Sequence, residues 1–167
     1  LSLMDRILFF KRVPLFAALS PVDLKQVASL AEEETFNDGE EIAHEGDVGD
    51  VMFVIVGGEV KVCSHKDGAE MEIARRKAGD YVGEMSLDGR PRSASVMTLE
   101  PTTCAVVTRD ELRAAIAQNP DVAMTLISTL IDRARIATDN VKNLALMDVY
   151  GRVARLLLSL AKEDGGK

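Results

Sequence analysis

The sequence contains one stretch, Gly83-Glu84-Met85-Ser86-Leu87-Asp88-Gly89-Arg90-Pro91-Arg92-Ser93-Ala94-Ser95-Val96, that concentrates small, polar and charged residues between hydrophobic runs. Gly83 permits close approach of the backbone to a ligand. Residues 84–88 can form one short helical turn with free N–H groups, and Arg92 offers a planar guanidinium that suits a phosphate. This 83–96 segment is therefore interpreted as an anion site, or alternatively as a surface loop that glycine and proline turn and charges solvate.

The order of residues in the 83–96 segment resembles the phosphate-binding cassette of cyclic nucleotide-binding domains. It reads Gly-Glu-apolar-small-Leu, then a polar turn, then Arg-Ser-Ala-Ser-Val. The likeness to bacterial cAMP receptor proteins of the Crp/Fnr family continues through five further stretches. These are Leu15-Phe16-Ala17-Ala18-Leu19-Ser20, Gly46-Asp47-Val48-Gly49-Asp50, Val54-Ile55-Val56-Gly57-Gly58-Glu59-Val60, Asn143-Leu144-Ala145 and Asp148-Val149-Tyr150-Gly151-Arg152-Val153.

The resemblance implies a ligand role for particular residues. Glu84 would accept a hydrogen bond from the ribose 2'-hydroxyl, Arg92 would pair with the cyclic phosphate, and backbone N–H groups around Ser86 and Ser93 would complete an anion nest. Arg92 follows Glu84 by only eight positions, fewer than is usual in the family. Either the turn at residues 88–91 is tightened, or a residue is absent from this sequence. The implied ligand-binding set is Gly83, Glu84, Met85, Ser86, Arg92, Ser93, Ala94 and Thr138.

Two further residues of the resemblance bear on the choice of ligand. The register of the long helix places Ala137 and Thr138 where an adenine would bind, but alanine replaces a polar residue that is usual there. Thr138 can hydrogen-bond the base, or alternatively can satisfy its own helix. Ser93 could equally contact a guanine, so cGMP is not excluded although cAMP is favoured. No cofactor is expected. Arg90 competes with Arg92 as the phosphate clamp, but its place at the tip of a turn predicts solvation.

Glycine-rich turns separate short apolar or alternating runs from residue 34 to residue 107, which predicts an antiparallel β region. The wholly apolar run 51–56 is expected to be a central strand. Met71 and Ile73 alternate with glutamates, which predicts one wet face there. The predicted fold class is α+β: an antiparallel β-barrel of the jelly-roll type with N-terminal helices and a long C-terminal helix, as the resemblance also implies.

Helix signals flank this β region. The apolar pattern predicts a helix over 4–13, and Ser20 before Pro21 predicts an N-cap and a helix to about residue 31. Thr108 is expected to cap a helix over 109–118, after which Asn119-Pro120 begins a much longer one. The side of the second helix predicted to be buried comprises Leu24, Val27, Ala28 and Leu30.

Apolar residues recur on the long helix at the alternating spacing of four and three that is typical of a coiled coil. This pattern predicts a homodimer through residues 123–144. The alternative is a helix packed lengthwise on its own barrel, for which Leu126 and Ile131 are available. We call the predicted dimer face the seam; its members are Ala123, Ile127, Leu130, Ala134, Ala137, Val141 and Leu144.

Asp148 is interpreted as a hinge and as the N-cap of a final helix carrying apolar residues from Val149 to Leu160. Three segments follow: a cyclic nucleotide-binding barrel over 1–118, a dimerisation helix over 119–146, and a linker with the start of a C-terminal helix over 147–167. In the regulators that the sequence resembles, a winged helix-turn-helix begins near this point. The expectation is that DNA is bound only through such a domain, which this sequence of 167 residues lacks.

Composition excludes several classes of partner. A formal charge of −7 disfavours a nucleic-acid surface, which needs clustered lysine and arginine. No run approaches the ~20 apolar residues of a membrane span, and no signal peptide is recognisable, so no membrane partner and a cytoplasmic location are expected. Cys63 and Cys104 lie in apolar strand-like runs, which predicts reduced, packed thiols.

Other functions on a similar barrel receive less support. A cupin metal enzyme needs convergent histidine and carboxylate ligands, but the two histidines, His44 and His65, lie far apart in sequence. We therefore expect neither a metal site nor an enzyme. Two alternatives stay open: a degenerate dimerisation module that has lost its ligand, and a cyclic-nucleotide sensor that regulates an effector other than a DNA-binding domain.

Overall fold

The computed structural model describes residues 2–164, with side chains for all of these except 155 and 159–164. The chain divides into two compact units, the first ending at Met124 and the second beginning at Thr125. The described part of the second unit is helical throughout. The assignment of sensor, dimerisation and linker roles to residues 1–118, 119–146 and 147–167 stays a prediction.

The elements follow the order that the sequence indicates. The chain opens with α1 (Leu3–Arg12), a 3₁₀ turn (Pro14–Phe16) and α2 (Pro21–Leu30). A second 3₁₀ turn (Glu84–Asp88) lies between β6 and β7, and α3 (Arg109–Gln118) and α4 (Asp121–Asp164) follow the last strand. The strands are β1 (Glu32–Phe36), β2 (Glu41–Ala43), β3 (Val51–Gly57), β4 (Glu59–Lys66), β5 (Ala69–Lys77), β6 (Tyr81–Val82), β7 (Ser95–Thr98) and β8 (Thr102–Thr108).

The strands described between residues 32 and 108 form two antiparallel four-stranded sheets, in the orders β1-β8-β3-β6 and β2-β7-β4-β5. Strand β3 lies between β8 and β6, and its residues 52–55 are buried. This confirms that the apolar run 51–56 is central. The predicted α+β fold with an antiparallel jelly-roll arrangement is confirmed.

Local hydrogen bonds begin the helices at the predicted caps. The Ser20 hydroxyl accepts from the backbone N–H of Asp23 at 3.2 Å, immediately before Pro21. At α3, the Thr108 hydroxyl accepts from the N–H of Glu111 at 3.2 Å, and the Glu111 carboxylate accepts from the N–H of Thr108 at 2.7 Å. Both pairs satisfy backbone donors that a helix start leaves without partners.

Apolar side chains from both sheets meet in the core of the first unit. The rings of Phe10 and Phe16 form an edge-to-face contact at 5.2 Å in the helical N-terminal part. This contact packs α1 against the 3₁₀ turn that follows it. The buried sheet core comprises Ala43, Phe53, Ile55, Val60, Val82, Val96 and Cys104.

Two predictions about burial are wrong. Leu30 is 54% exposed, because the buried side of α2 proceeds from Leu24 through Val27 and Ala28 to Ala31, one residue later. Met71 and Ile73 are 64% and 51% exposed. Their strand, β5, is an edge strand that pairs only with β4, so alternation of apolar and charged residues does not bury either face there.

The predicted hinge at Asp148 is also wrong, since α4 continues through this residue without interruption. The Asp148 carboxylate lies 3.1 Å from the guanidinium of Arg152. This spacing of four residues supports a continuing helix rather than a new N-cap. The predicted side-chain role of Leu160, and anything expected beyond residue 164, lies outside the described residues.

Candidate functional site

The 83–96 segment forms a compact turn with a left-handed glycine at each end of its 3₁₀ helix. Gly83 has φ 83° and Gly89 has φ 85°, values that side chains disfavour. Between them, the N–H of Ser86 donates to the Gly83 carbonyl at 3.2 Å, and the Ser86 hydroxyl donates to the same oxygen at 2.8 Å. Ser86 is thus a buried brace of the turn.

The second half of the segment is a turn held by contacts between Asp88 and Arg90. The Asp88 carboxylate accepts from the backbone N–H of Arg90 at 2.9 Å and from its Nε at 2.5 Å. The side chain of Arg90 is 83% exposed, as expected for a solvated turn tip. Pro91 then pairs with Val48, and the N–H of Arg92 donates to the Asp47 carbonyl at 2.8 Å. The 46–50 loop therefore fixes the backbone of Arg92.

The Arg92 guanidinium is held at the start of β3. Its Nη2 donates to the Val51 carbonyl at 3.3 Å, and its central carbon lies 5.7 Å from the Phe53 ring centroid. Its Nη1 is buried and has no hydrogen-bond acceptor among the described residues. Burial lowers the pKa of Arg92, while the carboxylates of Asp47 and Asp50 oppose that shift. The chain thus holds a partly desolvated cation with a donor left over.

Two glycines make room for this cation. A Cβ on Gly49 would lie 2.5 Å from Nη2 of Arg92, and a Cβ on Gly83 would lie 2.8 Å from Nη1. Both separations are shorter than side chains tolerate, so any other residue at either position would move the guanidinium. We call Gly49, Gly83 and Phe53 the cradle of Arg92.

The other predicted ligand residues of the first unit lie around the same turn. Glu84 begins the 3₁₀ helix and is half buried, and Ala94 is half buried just before β7. Met85 and Ser93 are both exposed, and the Ser93 hydroxyl lies 3.4 Å from the Met85 sulfur. The structure therefore brings Gly83 and Arg92 together, and separately Met85 and Ser93.

The part of the chain that contains this turn matches a known protein-family model. The model described as the cyclic nucleotide-binding domain matches residues 33–119, which include both sheets apart from the first residue of β1. The chain belongs to this family. The matched range includes the 83–96 segment, and the resemblance to cyclic nucleotide-binding domains is confirmed.

Curated relatives of this cyclic nucleotide-binding domain include bacterial regulators. The chain is 32% identical over 164 residues to the "CRP-like cAMP-activated global transcriptional regulator" of Mycobacterium tuberculosis, covering 97% of this chain and 72% of that protein. It is 35% identical over 125 residues to the "cAMP-activated global transcriptional regulator CRP" of Salmonella typhimurium, covering 73% of this chain. The match spans 60% of the length of the Salmonella protein.

A solved structure shows the same fold. The catabolite activator protein of Thermus thermophilus superposes with a TM-score of 0.71 at 31% identity, over 79% of this chain and 63% of that one. These relatives are regulators that contain a cyclic nucleotide-binding domain. The prediction that this chain is not an enzyme agrees with them.

Thr138 lies in the second unit of the cyclic nucleotide-binding chain. It is exposed on α4, and its hydroxyl donates to the Ala134 carbonyl at 2.9 Å. This is the helix-satisfying contact that was the alternative interpretation. The contact leaves the hydroxyl oxygen able to accept a further hydrogen bond, and a role in base recognition stays a prediction.

Sequence reasoning missed part of the site. Gly49 was included in a family-like stretch but given no contact with Arg92, and Phe53 was read only as part of a central strand. Arg109, whose buried Nε has no acceptor among the described residues, was read only as the start of a helix. Its signal was weak, because a lone arginine after an N-cap is common on any surface helix.

The structure also bears on the predictions about the cysteines, a metal site and a membrane span. Cys63 and Cys104 are buried free thiols, and burial raises the pKa of Cys104 to about 12. In the part of the chain whose side chains the structure describes, no cluster of three histidine, cysteine or acidic side chains is arranged to hold a metal ion. None of the helices described there has a stretch both long and apolar enough to cross a membrane.

Proposed function

We propose that this chain is a cyclic-nucleotide sensor domain in which Arg92 pairs with the cyclic phosphate and Glu84 accepts a hydrogen bond from the ribose 2'-hydroxyl. The observation that carries the proposal is the buried Nη1 of Arg92, which has no acceptor among the described residues. An unpaired buried donor costs about 1–3 kcal/mol, and more when charged, so folded proteins rarely retain one without use. A phosphate oxygen would satisfy it.

The surroundings of Arg92 support an anionic ligand rather than an internal partner. The nearest protein acceptor, the Val51 carbonyl, takes only Nη2, and at the long distance of 3.3 Å. Asp47 and Asp50 favour the charged form of Arg92 but do not hydrogen-bond it in this structure. A phosphate is a bidentate acceptor that could pair with the planar guanidinium of Arg92.

A preference for cAMP over cGMP is part of the proposal. The two bacterial relatives named above are described as cAMP-activated. Ser93, which could contact a guanine, has its hydroxyl directed at the Met85 sulfur instead. Ser86 already uses its N–H and hydroxyl on the Gly83 carbonyl, so its contribution to the anion nest would come through the shape of the turn.

The proposed output is transcription regulation through a homodimer formed along residues 123–144. Seam residues such as Leu130 and Val141 are exposed on α4, as an interface with a second copy requires. DNA contact would belong to a separate domain, since a charge of −7 opposes binding of this chain to the phosphate backbone of DNA. A cytoplasmic location follows from the same proposal. The degenerate-module alternative is disfavoured by the maintained cradle of Arg92.

Isothermal titration calorimetry with cAMP and cGMP tests the ligand. Wild type should bind one of them saturably, and Arg92→Ala should weaken binding by about 3 kcal/mol or more, on the order of 100-fold, because charge-assisted hydrogen bonds to phosphate are lost. Glu84→Ala should cost less, since it removes one contact with a neutral hydroxyl.

Arg90→Ala is the matched control for this titration. Arg90 lies two residues away, has the same charge and is 83% exposed, so its removal should leave the affinity near that of wild type. Absence of saturable heat with either nucleotide would contradict the proposed function. Equal losses for Arg90→Ala and Arg92→Ala would show that general charge, not the cradled guanidinium, governs binding.

A further inference from the structure

A second arginine lies beneath the turn that carries Arg92. The side chain of Arg109, the first residue of α3, extends to Gly89, so that a Cβ built on Gly89 would lie 3.5 Å from Nη2 and 3.9 Å from Nη1 of Arg109. These are ordinary van der Waals separations. The guanidinium therefore lies beside the left-handed glycine that ends the 3₁₀ helix.

Charge strengthens this contact. The pKa of Asp88 is lowered chiefly by the backbone N–H and side chain of Arg90, and the positive charge of Arg109 adds to that effect. Because the Arg90 side chain is mostly solvated, Arg109 is the half-buried cation at this turn. Its Nε is buried without an acceptor among the described residues, so the side chain is committed to this place at a cost.

The backbone of Arg109 is anchored next to the cradle. Its N–H donates to the Asp50 carbonyl at 2.8 Å, and the preceding residue, Thr108, pairs with Val51. Val51 in turn accepts from Nη2 of Arg92. These contacts thus connect the start of α3 to the start of β3, and the start of β3 to Arg92 and the turn that carries it.

We infer that Arg109 is a positioning residue for the nucleotide site. It holds the turn at Asp88 and Gly89 in place, and the position of this turn determines where the Arg92 side chain lies in its cradle. The inference rests on the proposed function, because positioning matters only if Arg92 binds a ligand. Arg109 need not contact the nucleotide for this role. Its guanidinium lies beside Gly89, while its charge attracts Asp88.

The binding test compares Arg109→Gln, Arg109→Lys and wild type by calorimetry with cAMP. Arg109→Gln should weaken cAMP binding by about tenfold. This is the low end of the loss expected when a residue that orients a binding group, without contacting the ligand itself, is removed. Arg109→Lys keeps the charge but loses the planar fork, so it should recover part of the loss. Arg113→Gln is the matched control, because Arg113 is exposed one turn further along α3. An affinity unchanged in Arg109→Gln would overturn the inference.

A second readout does not depend on nucleotide. In the ligand-free protein, Arg109→Gln should accelerate amide hydrogen exchange at Gly89 and Arg92, whose N–H groups donate to Ser86 at 3.0 Å and Asp47 at 2.8 Å. The N–H of Leu99, bonded to Glu59 at 2.8 Å, serves as control and should keep its rate. Equal acceleration at all three would mean general destabilisation and would overturn the inference.

The two readouts separate this inference from the proposed function. If wild type binds neither nucleotide while Gly89 and Arg92 exchange faster in Arg109→Gln, the brace exists and the proposed function fails. If wild type binds cAMP and the exchange rates do not change, the function holds and the brace is refuted. Arg109→Lys serves for the exchange measurement should Arg109→Gln not fold.

Discussion

A methyl group is enough to disturb the cradle of Arg92. The backbone at Gly49 does not need positive φ, yet its missing side chain leaves the space that Nη2 of Arg92 occupies. Gly83 adds a second requirement, because its φ of 83° is unfavourable for any residue with a Cβ. Each glycine therefore shapes the position of the cation rather than the fold as a whole.

Gly49→Ala should reduce nucleotide affinity while leaving thermal stability almost unchanged. The new Cβ would lie 2.5 Å from Nη2 of Arg92, and the flexible end of that side chain can yield without moving backbone. We expect a loss of roughly tenfold in affinity, about 1.4 kcal/mol, from the displaced guanidinium. Calorimetry measures the affinity and a thermal melt the stability.

Gly57→Ala is the control for this substitution. Gly57 also lacks positive φ, and nothing lies within 4 Å of the position that a Cβ would take there. The nucleotide affinity of Gly57→Ala should match that of wild type. Equal nucleotide affinity in Gly49→Ala and wild type would mean that Arg92 is not held where the ligand needs it.

At the scale of elements, we propose that α4 carries the signal of ligand binding. It continues from Asp121 to Asp164 without the break expected at Asp148, so a change at Thr138 can be transmitted along the same helix. The Thr138 hydroxyl keeps an acceptor site after bonding to Ala134. Ligand would then shift a population of α4 arrangements rather than create a new one.

We predict slower amide exchange over residues 138–146 when cAMP is bound, because a ligand contact on α4 would stabilise the helix locally. Thr138→Val should weaken cAMP binding by about 1 kcal/mol, the net value of one neutral hydrogen bond, and should diminish the protection. Hydrogen-exchange mass spectrometry and calorimetry measure the two effects.

Thr129→Val provides the comparison on the same helix. Thr129 also donates to a carbonyl four residues earlier, that of Thr125, at 3.1 Å. Thr129→Val should change neither the affinity for cAMP nor the exchange protection of residues 138–146. Unchanged exchange over 138–146 in the presence of saturating nucleotide would remove α4 as the route.

For the whole molecule, the exposed seam of α4 predicts a homodimer. Leaving Ile127, Leu130, Val141 and Leu144 in water forgoes about 1.5–3 kcal/mol for each side chain that a partner could fully bury. Leu130→Glu should therefore weaken self-association by at least about tenfold, since a buried unpaired carboxylate is unfavourable. Sedimentation velocity across a range of protein concentrations measures the change.

Ile136→Glu is the matched substitution away from the seam. Ile136 is 61% exposed on the same helix but does not share the spacing of the seam. It should leave the dimer intact. A wild-type chain that sediments as a monomer at micromolar concentration, or equal weakening by both substitutions, would contradict the coiled-coil assignment.

The helix starts and the clamp were predictable because their signals are local or ordered. Ser20 with Asp23 and Thr108 with Glu111 bond across three residues, so their caps can be read without knowledge of the fold. The order of residues from Gly83 to Val96 likewise points to Arg92 as the proposed clamp. What the sequence determined by itself was therefore the class of elements and their order, and it supplied the residue at the centre of the proposed site.

Only the tertiary structure decided what surrounds that residue. Gly49 and Arg92 are 43 positions apart in sequence and meet because the 46–50 loop pairs with the end of the 83–96 segment. The exposure of Met71 depends on β5 being an edge strand, and the contact of Arg109 with Gly89 depends on where α3 begins beside β3. Such contacts arise from the pairing of distant strands, which no local pattern of residues encodes.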